Sequence, residues 1–435
     1  MVADTVVRSG GGMTIPVILA MAFAGIFSVG CGGTGEARVA SPAVAPGTGP
    51  DATYWFYVLA ESADRMHRIR FGPEGASVEK TTPVGYMPVT MDQPHGVQIS
   101  KDGRWLYLTT GHGAPDGKFW KYELGPDTVV AGPIDLGNFP ASLDVTPDGL
   151  YGLVVNFNLH GRMVPSSVSV VFLPTFQEVA QTVTCTMPHG SRVSADGLHH
   201  YSVCMMDDQL VEISTRDFQV SRRFSVAKGA EGPITTVAAG GDGGMHGAGA
   251  MHGEGMHGAG HQGMAGGGAH AGDGAAGALP GMGDHPPASC SPTWAQPSPS
   301  VDRIYVVCNA GDEILEIDLE EWKLLRRFPT GRGPYNVEVS PDGRLLVVTL
   351  KQGDGVEFFD LAAGERLAQM RSSTTVTHGV VVTPDSRYAF VSVEGVGGEP
   401  GKVDIYDLRT FERVAEVEVR QQAAGIAFWR MEPAP

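Results

Sequence analysis

Apolar residues along this chain come in short runs separated by polar turns, and the runs recur in a fixed order. One set is rich in β-branched and aromatic residues: RWLYLTT from Arg104, YGLVVNF from Tyr151, HHYSVCM from His199, RIYVVCN from Arg303, RLLVVTL from Arg344 and RYAFVSV from Arg387. Ahead of each lies an opening that ends in a turn: QPHGVQISKDG from Gln93, FPASLDVTPDG from Phe139, MPHGSRVSADG from Met187, SPTWAQPSPS from Ser291, GPYNVEVSPDG from Gly333 and VTHGVVVTPDS from Val376. Third runs such as EILEIDL from Glu313, GVEFFDL from Gly355 and KVDIYDL from Lys402 follow, and then fourth runs such as KLLRRFPTG from Lys323 and RVAEVEV from Arg413. Runs of this length, broken by Asp-Gly and Gly-rich turns, predict antiparallel strands. Four strands in about 45 residues predict one blade of a β-propeller.

Six such units leave a fragment at each end. QAAGIAFWR from Gln422 reads as a lone inner strand, whereas ATYWFYVLAESADRMHRIRF from Ala52 lacks one. Joined, they complete a blade, and a closed ring leaves no strand edge open to aggregation. The expected fold is therefore all-β, a seven-bladed β-propeller with an N/C-terminal strand clasp. Its blades span 53–228 and 290–431, and the strand containing Ala424 pairs with the one around Trp55 to Leu59.

Three segments carry a resemblance to a known family: Ile304-Tyr305-Val306-Val307-Cys308-Asn309, the Ser-Pro-Asp-Gly turn at Ser340 to Gly343, and the Ile-Asp-Leu ending at Leu319. They resemble the YVTN-repeat propellers of bacterial exported proteins, over about 52 to 430 apart from one insertion. That resemblance implies the fold and an exported location. It leaves function open, because one scaffold serves binding, catalysis and redox proteins.

Seven residues ahead of each turn Asp, or its equivalent Ser300, stand His95, Ala141, His189, Thr293, Tyr335 and His378. Equivalent register in a ring places the histidines at one mouth of the central channel. Counting back across the turns puts Cys204 opposite His189 with Met205 and Met206 next along, Cys308 opposite Thr293, and Thr110 opposite His95 with His112 two residues beyond. Imidazole, thiolate and thioether donors together suit copper first and zinc next. Set against this is the plain reading in which the histidines only satisfy backbone groups at the mouth.

The insertion, 229–289, is the second chemical signal. It contains Met245-His246, Met251-His252 and Met256-His257, each followed by Gly, then His261, Met264, His270, Met282 and His285. With no periodic apolar face it is expected to be disordered without a ligand. His-rich composition points to metal, and interleaved Met narrows the metal to copper.

Arg8 and the apolar run Met13 to Val29, ending at Gly30-Cys31, read as a bacterial lipoprotein signal with Cys31 as the lipidation site and 32–52 as a tether. Ser28 stands where such signals usually carry Leu, so plain secretion is the rival reading; either way the chain is periplasmic or at the cell surface, and touches a membrane only through a lipid anchor. Disulfides persist there, so Cys185, Cys204, Cys290 and Cys308 allow bridges, free thiols or ligands. Cys185 and Cys290, which precede consecutive inner strands, are the favoured bridge. Lys+Arg 31 against Asp+Glu 48 gives a net charge of −17, which excludes nucleic acid as a partner. No nucleophile elbow, phosphate loop, haem-attachment motif or zinc helix is present, and the acidic residues form no catalytic pair. The chain thus reads as a copper-binding protein for sequestration or hand-over to an exported protein partner, rather than an enzyme. Two alternatives stand beside it: a copper oxidoreductase with the propeller architecture of nitrous oxide reductase or methanethiol oxidase, and a metal-free interaction scaffold.

Overall fold

The computed structural model describes residues 49–86, 91–111, 117–159, 161–235 and 287–433. The leader with Cys31, most of the tether, His112 and the whole Met/His run from Met245 to His285 lie outside the described residues. The chain forms seven antiparallel sheets in a ring, a β-propeller. Blades 1 to 6 open with inner strands Val97–Ile99, Pro140–Val145, Pro188–Val193, Pro292–Pro297, Pro334–Val339 and Thr377–Val382. Blade 7 is the clasp: Ala423–Pro433 pairs antiparallel with Ala52–Ala60, which continues into Arg65–Gly72 and Gly75–Pro83. Ile426 faces Val58 and Arg430 faces Trp55, as expected.

The turns form where the sequence places a hydroxyl two residues before an Asp. Ser100, Thr146, Ser194, Ser340 and Thr383 each donate to Asp102, Asp148, Asp196, Asp342 and Asp385 at 2.5–2.6 Å. Each Asp also accepts from the backbone N–H two residues on. These bonds hold the Asp102 and Asp196 carboxyls below the usual range; at Asp102 the Ser100 hydroxyl is the largest influence, and at Asp196 burial opposes them.

Every inner strand is approached through a left-handed residue: Gln93, Phe139, Met187, Ser291, Gly333, Val376 and Gln422 have φ between 44° and 65°. Such a backbone is uncommon for bulky side chains and needs outside support. A second set of aspartates supplies it in four blades. Asp64 accepts from the N–H of Gln93, Asp208 from Ser291, Asp312 from Gly333 and Asp354 from Val376.

Blade-to-blade seams are also repeated. Thr109, Ser142, Thr293, Thr349 and Ser392 donate their hydroxyls to the carbonyls of Pro140, His189, Tyr335, His378 and Ala424 in the next blade, at 2.6–3.0 Å. Between blades 7 and 1 the contact has another form: Gly425 lies so close to the His95 carbonyl that a Cβ would collide with it.

Two disulfides form, Cys185–Cys204 and Cys290–Cys308. The expected Cys185–Cys290 bridge is corrected by this pairing. Each bridge joins the residues ahead of an inner strand to the end of the strand beside it, because Pro188 faces Cys204 and Pro292 faces Cys308. Blade 3 also has a fifth short strand, Gly232–Pro233, paired with Phe224 and Ser225, where the sequence reading had already begun the insertion.

Candidate functional site at the channel mouth

His95, His189 and His378 are buried at one mouth of the channel. The His95 and His378 rings meet edge to face with centroids 5.2 Å apart. His378 packs on Tyr335 at 4.7 Å, and Tyr335 on His189 at 5.5 Å. The three histidines therefore form an arc with Tyr335 between two of them, rather than one convergent set.

His189 is held at both nitrogens. Its Nδ1 lies 2.7 Å from the Thr293 carbonyl, and the Tyr335 hydroxyl lies 3.2 Å from Nε2. A carbonyl only accepts, so Nδ1 carries the proton and Nε2 accepts from the phenol. Burial keeps that phenol protonated well above the usual tyrosine range, against the pull of Lys351. The imidazole takes the place of a seam hydroxyl, since blade 3 has Val203 where blade 1 has Thr109. For His189 the backbone-satisfying role is thus occupied.

The His95–His378 pair is flanked by charge. Glu61 Oε2 lies 3.0 Å from His95 Nδ1. Glu394 Oε1 lies 3.7 Å from His378 Nε2 and 2.8 Å from Lys351 Nζ, which stands 4.2 Å above the Tyr335 ring centre. Burial works against the Lys351 ammonium, yet Tyr335 and Glu394 hold it above the ordinary lysine range. A carboxylate on Nδ1 is the arrangement that orients an imidazole for metal binding through its other nitrogen. Among the described residues, no group of three or more His, Cys, Asp or Glu side chains is placed to hold a metal ion.

Cys204, expected as a ligand, is corrected: its sulfur is bonded to Cys185 and offers no thiolate. Glu61, Lys351 and Glu394 were missed by the sequence reading. Each is the residue directly after the strand that follows an inner strand, where other blades carry Gly111, Phe157, Met205 and Asn309. That exit position repeats as regularly as the histidine position, and tabulating it would have found all three. The opposite arc of the mouth is apolar: Phe139, Ala141, Phe157 and Met187 pack with Leu159, Met163, Met205 and Met206.

Below the mouth, the axis holds a cavity of about 40 Å³ lined by residues that include His95, Ser142, Arg192, Trp294, Asn336 and His378. The buried Trp294 Nε1 and Asn336 Oδ1 lack protein partners. A cavity of that size holds only a few water molecules.

No family model matches the chain, and no curated protein matches it either. Among solved structures it is similar to Kuenenia stuttgartiensis hydrazine synthase, with a TM-score of 0.49 and 18% identity over 74% of this chain and 80% of that one.

Proposed function

We propose that this chain is an exported, lipid-anchored propeller of the YVTN-repeat kind that binds copper for sequestration or hand-over. In this reading the Met/His segment collects the metal, and His95 and His378 hold it at the mouth together with donors from that segment. The observation that carries the reading is where the segment is rooted. Lys228 N–H donates to Ser289 Oγ at 2.8 Å, so the segment returns beside the end of the blade 3 outer strand, after departing through the edge strand Gly232–Pro233. Asp208 accepts from the N–H groups of Ser289, Cys290 and Ser291, and the Cys290–Cys308 bridge pins the return. That return lies on the face where the inner strands begin, the face of His95 and His378. At up to about 3.3 Å per residue, a segment of this length reaches any part of the rim. The two disulfides fit an oxidising, exported location. Thioethers suit Cu(I), imidazoles suit Cu(II), and the receiving partner for hand-over is another exported protein.

The test is metal analysis of the intact protein, of a variant with residues 240–285 replaced by a Gly/Ser linker, and of His95→Ala/His378→Ala. Copper lost with the segment supports sequestration by it. Copper retained at stoichiometry without the segment, and lost with the two histidines, supports a mouth site. Copper bound by none of them leaves the metal-free scaffold.

A further inference from the structure

We propose that the apolar arc of the mouth is a second, preformed Cu(I) site, built by the thioethers of Met187, Met205 and Met206 with Met163 beside them. This rests on the copper reading above and adds a fixed receiving point on the rim. Four of the eight residues in this cluster are methionine, against 17 in all 435. Leu or Ile would fill much the same volume, and what four methionines add at this rim is thioether sulfur. Thioether sulfur is a soft donor that selects Cu(I) over harder cations.

The placement meets the needs of a site. Met163, Met205 and Met206 are half-buried, at the border between core and solvent, where a cation can arrive. Met205 N–H donates to the Met187 carbonyl at 3.1 Å, so these two residues are backbone neighbours. The Cys185–Cys204 bridge lies two residues before Met187 and one before Met205, and staples both segments together. Phe139 and Phe157, with ring centroids 5.6 Å apart, belong to the same cluster and keep its inner side dry. A dry wall suits a singly charged soft ion better than a strongly hydrated divalent one. His189 packs on Phe157 at 4.8 Å but is not counted as a donor, since Thr293 and Tyr335 engage its nitrogens.

The experiment uses the full chain with ¹³C-labelled methionine methyls, titrated with Ag(I) and then with Cu(I) kept reduced by ascorbate. The Met187, Met205 and Met206 methyl signals should move within the first equivalents. Met205→Leu/Met206→Leu, which conserves volume, should weaken that binding step by about tenfold or more while leaving the melting temperature nearly unchanged. Rim methyls that stay fixed while other methionines shift would overturn this site and leave the copper reading standing. No methionine shift at any position would overturn both. The wild-type titration decides the matter even if the double variant folds poorly.

Discussion

Blade 7 and the blade 3–4 region hold separate segments of chain together by different physical means. The clasp relies on strand pairing and apolar burial. Tyr54, Phe56 and Phe71 interleave with Tyr388 and Phe390 of blade 6, with Phe56 stacked on Phe390 at 4.2 Å. Tyr54 donates to Asp385 across that seam, and Trp429 Nε1 donates to the Gly103 carbonyl in blade 1. Blades 3 and 4 instead use covalent bonds, Cys185–Cys204 and Cys290–Cys308. The clasp closes a far longer stretch of chain than the insertion does, and it closes it by pairing and burial alone. The two crosslinks close loops of 19 and 18 residues and fix strand ends on either side of the insertion.

The strongest way to break this contrast is at the clasp. Deleting 421–435 exposes the Ala52–Ala60 edge and should abolish cooperative unfolding, read by calorimetry and circular dichroism. Phe390→Ala should cost about 3–5 kcal/mol by itself. A truncated chain that melts like the intact one would refute closure by strand pairing.

Reduction of the disulfides comes next. Their sequence separations, 19 and 18, are nearly equal. Cys185→Ala/Cys204→Ala and Cys290→Ala/Cys308→Ala should therefore each lose about 3 kcal/mol in denaturant melts. Reductant should lower the stability of the wild type but leave the difference made by Phe390→Ala unchanged, since the two regions share no partners.

Acid should weaken both regions through buried histidines. Burial, assisted by Arg192, lowers His200 in blade 3 from 6.5 to about 3; burial, with Arg420 and Arg65, lowers His67 in blade 7 to about 4. Both folded values lie below the unfolded one, so the unfolded chain takes up protons first. Stability is complete above pH 6.5 and falls as pH drops from there toward 3–4. Neither His200 nitrogen has a partner. His200→Leu should then leave stability at pH 7 nearly unchanged and raise it by about 2 kcal/mol relative to wild type at pH 5. An unchanged pH slope in that variant would refute the assignment.

The smallest expected effect is at the seam. Tyr335→Phe removes the hydroxyl that meets His189 Nε2 and should cost about 1 kcal/mol.

The propeller was legible because its period is carried by strand-length apolar runs and by the Ser/Thr-x-Asp turns, both local in sequence. The strand opposite His189 and Thr293 was misplaced by one residue for a specific reason. A β-bulge follows Pro188 and Pro292, so counting back from the turn lands on His189 and Thr293 where the structure pairs Cys204 and Cys308 with Pro188 and Pro292. Two residues on one strand there oppose one on its partner, and no composition signal marks it. Histidine register was readable, but the roles diverged with their neighbours. His189 was diverted to a seam because Val203 lacks a hydroxyl, a fact three strands' worth of alignment makes visible only after the seam is known.

The close approach of Gly425 to the His95 carbonyl bears on the order in which the protein becomes competent. His95 is positioned by Ala423–Pro433, the last strand of the described residues, and Glu61 N–H donates to the Gln422 carbonyl at 2.9 Å. The methionine arc is assembled from residues between 139 and 206. In chain order the methionine arc is therefore complete long before the imidazole pair. Vectorial synthesis gives the two halves of one mouth separate birthdays, with the imidazole pair set only once the ring has shut.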